Sequence, residues 1–255
     1  MVRIDWGRET LNYTDEGTGT PILFLHGLGG NANNWLNQRR ALADHHRVIT
    51  LDLPGHGRST GARVPFERYA EAAARVLDRI NASNVSIVGL AMGARVGIAL
   101  AHRAARRISH LTLVNAYLTL PPDEHEKRVA LYDLLLQRDG ARRWADTLLE
   151  GMGVADIPGI ARGFVGSLDQ IQPLHINRIF HEVDEIEQNN DLRDLDIPIQ
   201  VMIGERDKLI PASSTEELLT MIRCPVIHRF PDSGHLPYLE EPASFNSALD
   251  AFIHS

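Results

Sequence analysis

Val85-Ser86-Ile87-Val88-Gly89-Leu90-Ala91-Met92-Gly93 is the stretch on which the reading of this chain turns. An apolar run ends at a glycine, and an alanine-rich segment of helical spacing, 92–105, follows it. A strand that turns sharply into a helix crowds its own backbone. Gly89 and Gly93 stand where side chains would not fit. Strand, tight turn and helix in this order are the context of a nucleophile elbow, Gly-x-nucleophile-x-Gly. The turn lifts the side chain at position 91 above the sheet edge. It also leaves the N–H of Met92 at a helix start, where it can stabilise a developing oxyanion. A glycine-bordered helix start that only allows close packing is the plainer alternative.

Working outward, other short apolar runs end at chemically distinctive loops. Ile22–Leu25 runs into His26-Gly27, Val48–Leu51 into Asp52 and Pro54, and Leu111–Val114, Ile199–Ile203 and Val226–Phe230 complete the series. Between most of them lie segments of helical period: 66–80, 92–105, 213–222 and 242–253. Strands that are apolar throughout and separated by helices predict a doubly wound, mostly parallel sheet covered on both faces. The spacing is too irregular for eight equal barrel repeats. Val2–Trp6 and Thr10–Thr14 predict an antiparallel pair at the start. From Tyr117 to Leu195 no strand is legible, only helical pattern with turns at Pro121-Pro122, 151–153 and Pro158-Gly159. That is too long for a structureless loop. The expected organisation is a core of 1–116 and 196–255 with a helical cap, 117–195, inserted over the site.

The composition narrows the function classes. A net charge of -7 excludes the basic footprint of a nucleic-acid surface. Cys224 is the single cysteine, so no intramolecular disulfide and no paired-cysteine metal or redox site can form. The first residues lack the apolar segment of a signal peptide, and no apolar run approaches the roughly 20 residues that span a bilayer. The expectation is a soluble cytoplasmic protein without a membrane partner, of undetermined oligomeric state.

Three further motifs carry chemistry. His26-Gly27-Leu28-Gly29-Gly30 follows a strand and can lend a second oxyanion donor, with Leu28 the candidate and His26 structural. In Gly204-Glu205-Arg206-Asp207, an acid sits at the carboxyl end of a strand, where open α/β sheets build their sites. Asp207 can orient an imidazole, or serve as a turn aspartate. Asp232-Ser233-Gly234-His235 follows the last strand, and His235 is placed to act as general base. The order is position 91, then 207, then 235. Candidate substrate contacts are Gly27, Asn33 and Trp35 beside the glycine loop, and Trp144, Phe164 and His175 from the cap. Each of the cap residues is equally consistent with cap core or surface. Arg95, one helical turn past Ala91, reads as solvated or salt-bridged, with contact to an anionic substrate group as the alternative.

On these motifs the chain resembles the α/β-hydrolase superfamily over about residues 3–254, in the small capped branch of esterases, enol-lactonases and C–C hydrolases of meta-cleavage products. Asp52-Leu53-Pro54-Gly55-His56-Gly57-Arg58-Ser59 looks like the family's turn after its fourth strand. The resemblance implies the α/β-hydrolase fold, Ala91 in the nucleophile position, Asp207 as acid, His235 as base, and oxyanion donors at Leu28 and Met92. It implies no metal and no organic cofactor, and a small-molecule substrate with a carbonyl group. The expected activity is hydrolysis of a carboxylic ester or lactone. C–C bond hydrolysis, cofactor-free dioxygen chemistry and ligand binding without turnover are the alternatives. Ala91 departs from the pattern, because alanine has no hydroxyl with which to attack. Either a serine has been replaced, as is done to trap an unreacted ligand, or the chain is a natural non-hydrolytic member. The intact remainder of the triad favours replacement. In either case this chain is expected to be nearly inactive.

Overall fold

The computed structural model describes residues 1–255. In chain order the strands are β1 (Val2–Trp6), β2 (Glu9–Glu16), β3 (Thr20–Leu25), β4 (His46–Asp52), β5 (Val85–Leu90), β6 (Ile108–Val114), β7 (Ile199–Gly204) and β8 (Val226–Phe230). They form one sheet in the order β1-β2-β4-β3-β5-β6-β7-β8. The first two strands pair antiparallel, β2 continues antiparallel onto β4, and all later pairings are parallel. The helices outside the insertion are α1 (Leu36–Leu42), α2 (Tyr69–Arg79) and α3 (Met92–Arg103) before it. After it come α9 (Ala212–Met221), α10 (Pro237–Glu240) and α11 (Pro242–Ile253). This is the α/β-hydrolase fold.

Continuous apolar strands serve two faces at once, because successive side chains point to opposite sides. Leu23, Leu25, Ile49, Ile87 and Leu111 pack with residues of α2, α3 and α9. Their neighbours Ile22, Phe24, Val48, Val88 and Val114 pack with Leu42 of α1 and Phe245 and Leu249 of α11. Each such side chain contributes about 1.5–3 kcal/mol by leaving water. The edge strand β8 departs from the expectation of two covered faces. Val226 and Ile227 are 47% and 45% exposed, because no further strand or helix closes that corner.

Between β6 and β7 lie α4 (Pro122–Asp133), α5 (Gly140–Gly151), α6 (Pro158–Leu168), α7 (Pro173–Glu185) and α8 (Asn189–Arg193). Their apolar centre is Trp144, Tyr132 and Phe180, with Tyr132 stacked on Phe180 at 4.0 Å. That centre runs without a break into the sheet face of Val88 and Val114. No helix is long and apolar enough to cross a membrane.

A buried imidazole cluster joins the loops after β3 and β4 to α7. His26 and His56 lie 4.9 Å apart, and His56 lies 5.2 Å from His175 of α7. Burial holds all three below the ordinary histidine range, and His56 well below it, where burial is the largest cause and the imidazoles of His26 and His175 add to it. The folded chain therefore takes up protons on these imidazoles at lower pH than the unfolded chain, in which they titrate near pH 6.5. Below that pH the unfolded state binds more protons than the folded one, so stability falls as pH falls. Melting should come at a lower temperature at pH 5.5 than at pH 7.5, and His56→Asn should reduce the difference. An identical pH dependence in that variant would contradict the assignment.

Candidate active site

Strand register brings the loops together. Leu25 of β3 lies opposite Gly89 of β5, so the chain leaves the sheet side by side at His26 and at Ala91. Gly204 of β7 lies opposite Phe230 of β8, so the loops bearing Asp207 and His235 also adjoin.

Ala91 adopts φ 46°, ψ -109°, a backbone region that a non-glycine residue occupies at a cost of about 1–3 kcal/mol. Its N–H donates to the Val114 carbonyl at 3.0 Å, and its carbonyl accepts from Ala94 at 3.0 Å. A Cβ on Gly89 would lie 2.4 Å from the Gly93 carbonyl oxygen, and one on Gly93 would lie 2.3 Å from that of Leu25. The two glycines thus serve close backbone approach. Met92 opens α3, so its N–H is among those a helix leaves without an internal acceptor.

The glycine loop is held from within. Gly30 donates to the Gly27 carbonyl at 3.0 Å, which places Leu28 and Gly29 at the crest of a tight turn. His26 Nδ1 donates to the Gly27 carbonyl at 2.8 Å, and its Nε2 accepts from the Leu53 N–H at 3.0 Å. Asp52 accepts from Ala32 at 2.7 Å and from Arg58 at 2.9 Å, tying this loop to the one after β4.

His235 Nδ1 donates to Asp207 Oδ2 at 2.7 Å, with both side chains at most 5% exposed. The other carboxylate oxygen of Asp207 accepts from Leu209 at 2.7 Å, so the acid cannot rotate away. This leaves Nε2 as the reactive nitrogen. A cavity of about 730 Å³ opens there, and Gly27, Leu28, Ala91, Met92 and His235 line it together.

Two residues that sequence reasoning missed hold this pair in place. Asn115, at the carboxyl end of β6, has φ 40°. Its Nδ2 donates to the carbonyls of Gly234 and His235 at 3.1 and 2.9 Å, and its Oδ1 accepts from Gly204 at 2.9 Å. The carboxylate of Glu240 accepts from the N–H groups on both sides of His235, Gly234 at 2.8 Å and Leu236 at 2.9 Å. Burial raises the Glu240 pKa above the ordinary carboxylate range. The end of α5 clamps the same loops: His235 N–H donates to Met152 at 2.9 Å and Lys208 N–H to Gly151 at 3.1 Å.

Of the other sequence candidates, Asn33 stands exposed on the cavity lining and Phe164 reaches it from α6. Three do not line it. Trp35 is core, fully buried against Phe24 and Tyr238. Trp144 is fully buried in the apolar centre of the insertion. His175 is buried against the loop after β4, with its Nδ1 on the Ala62 carbonyl at 3.0 Å. Arg95 lines the wall but is neither solvated nor salt-bridged. It is 2% exposed and donates to Gln188 at 2.8 Å, to the Leu118 carbonyl at 3.0 Å and to the Ile186 carbonyl. Its three nitrogens are spent on binding the insertion to α3, and burial lowers its pKa. His46, Asp250 and His254 come within 4.8 Å of one another, but none of them lines the cavity.

Asn115→Ala would strand three buried backbone groups, each costing about 1–3 kcal/mol. The variant should unfold at least about 2 kcal/mol more easily in denaturant titration. A change below about 0.5 kcal/mol would remove Asn115 from the role given to it.

Residues 22–248 match the alpha/beta hydrolase family. The chain is 28% identical over 252 residues to the protein named as carbamate hydrolase RutD in Agrobacterium fabrum, covering 91% of this chain and 92% of that one. It is also 28% identical to the dihydrolipoyllysine-residue acetyltransferase component of the acetoin cleaving system of Pseudomonas putida, of whose length it spans 64%. Among solved structures it superposes on a thermophilic esterase from Thermogutta terrifontis with a TM-score of 0.87 and 24% identity, and both chains are fully covered. The enol-lactonase of Burkholderia xenovorans LB400 superposes with a TM-score of 0.87 and 21% identity, again over the whole of both chains. The chain belongs to the alpha/beta hydrolase family.

Proposed function

We propose that the cavity is the active site of a hydrolase for small carboxylic esters or lactones, built for a Ser-His-Asp triad and standing here with Ala91 in the nucleophile position. The observation that carries this reading is the His235–Asp207 pair at 2.7 Å, opening with the elbow residue into one cavity. Esterase and lactonase structures of the same fold support it. Residues 117–195 act as a helical cap that closes the cavity from above.

With a hydroxyl at position 91, His235 Nε2 takes its proton while Asp207 steadies the imidazolium. The alkoxide attacks the carbonyl, and the N–H groups of Leu28 and Met92 hold the oxyanion. That intermediate collapses, the bond to the leaving alkoxide breaks, and the leaving alkoxide takes the proton from His235. The neutral imidazole then takes a proton from a water that attacks the acyl group, and returns it to the oxygen at position 91 as the acid departs. Alanine removes only the attacking oxygen, so the chain binds substrate and scarcely turns it over. Loss of a triad nucleophile costs about 10⁶ in kcat in the subtilisin series.

A second reading is favoured by the missing hydroxyl itself and by the relatives named as carbamate hydrolases. Here His235 Nε2 takes a proton from a water that attacks the carbamate carbon directly, and gives it to the leaving group as the bond between that group and the carbon breaks.

The unaltered chain, Ala91→Ser and His235→Ala should be compared on p-nitrophenyl esters, lactones and a p-nitrophenyl carbamate. A gain of several orders of magnitude for Ala91→Ser on an ester or lactone is expected. Carbamate turnover by the unaltered chain, lost in His235→Ala, would favour the second reading. A correctly folded but silent Ala91→Ser, with no carbamate turnover, would leave the fold as a binding module.

A further inference from the structure

Arg128 of α4 lines the same cavity and is 7% exposed. Its guanidinium makes one hydrogen bond, from Nη2 to the Leu209 carbonyl, leaving Nε and Nη1 without a protein acceptor. These free donors are not sealed in the protein but open to the cavity, with no carboxylate paired to them, so a ligand there can take them up. Arg47 shows how this chain otherwise treats such a group: both oxygens of Asp15 receive it, at 2.8 and 2.7 Å.

The acidic groups on the cavity wall are engaged elsewhere. Asp232 pairs with Arg206, Glu240 holds the N–H groups of Gly234 and Leu236, and Glu241 receives the Ser233 hydroxyl at 2.6 Å. The other arginine on the wall, Arg95, has its nitrogens bound to the insertion. Tyr132 lies one turn along α4 from Arg128 and lines the cavity as well.

Resting on the hydrolase reading of this cavity, we propose that Arg128 reads a carboxylate on the substrate, making the preferred ligand an anionic half-ester or its lactone counterpart. The position suits the chemistry. The Leu209 whose carbonyl anchors Arg128 gives its N–H to Asp207, so the guanidinium stands along the acid loop. A substrate pinned there by one end extends its carbonyl across the cavity toward Ala91. Planar, bidentate recognition is what a guanidinium offers a carboxylate and an ammonium does not.

Equilibrium binding tests this without any turnover. The unaltered chain is titrated calorimetrically at pH 7.5 with monomethyl glutarate and with dimethyl glutarate. The monoanion should bind at least about tenfold more tightly, the effect of a charge-assisted hydrogen bond. Arg128→Gln should bring it to the level of the diester while leaving the diester within about twofold, and Arg128→Lys should fall between. Equal affinities in the unaltered chain, no measurable binding of the monoanion, or a loss in Arg128→Gln shared equally by both ligands would overturn the proposal. Because no nucleophile is involved, a silent Ala91→Ser that keeps the discrimination would sink the hydrolase reading alone.

Discussion

The reacting end of the cavity depends on backbones that touch with no side chain between them. Gly93 sits against the Leu25 carbonyl, Gly204 against that of Gly234, and Gly234 against that of Met152. A Cβ at any of the three would come within 2.3 Å of an oxygen. These approaches fix where β3, β5, β7 and β8 release their loops, and the loops then have little freedom left. The strained φ of Ala91 follows from this. The methyl group gains nothing from the conformation, so the surrounding packing and the bond to Val114 enforce it. An elbow held this way keeps its shape whether or not the side chain it presents can react.

The insertion is bound into the same constraint. Its apolar centre is continuous with the sheet face, the end of α5 holds the backbone of His235 and Lys208, and Gln188 locks onto Arg95 with a return bond to the Arg95 carbonyl at 3.0 Å. A helical layer attached at these points positions the imidazole and lines part of the cavity.

Much of this was legible in the sequence, and the rest was hidden for identifiable reasons. The parallel strands announce themselves because both faces are buried, so their apolar runs are unbroken. Gly89, Gly93, Asp207 and His235 are legible because each lies at the carboxyl end of a strand or within a few residues past it. Helix α1 is not, because its buried face carries Gln38, which is satisfied by the Tyr238 carbonyl and Asn246. Trp35 is a candidate by its nearness to the glycine loop, and Trp144 and His175 by their place in the insertion, and neither ground says which side of a turn or helix faces the cavity. Arg95 and Gln188 meet across 93 positions, a partnership no local pattern encodes. Asn115 shared the strand-end signal of Asp207 but follows no recognisable motif. Glu240 and Arg128 read locally as ordinary helix residues.

The central claim is the orientation of one imidazole. Nitrogen-15 spectra of His235 at neutral pH report which ring nitrogen carries the proton. The account predicts the Nδ1–H tautomer, its proton protected from exchange by Asp207 and Nε2 bare toward Ala91. An Nε2–H tautomer, or an Nδ1 proton exchanging as freely as that of an exposed histidine, would contradict it.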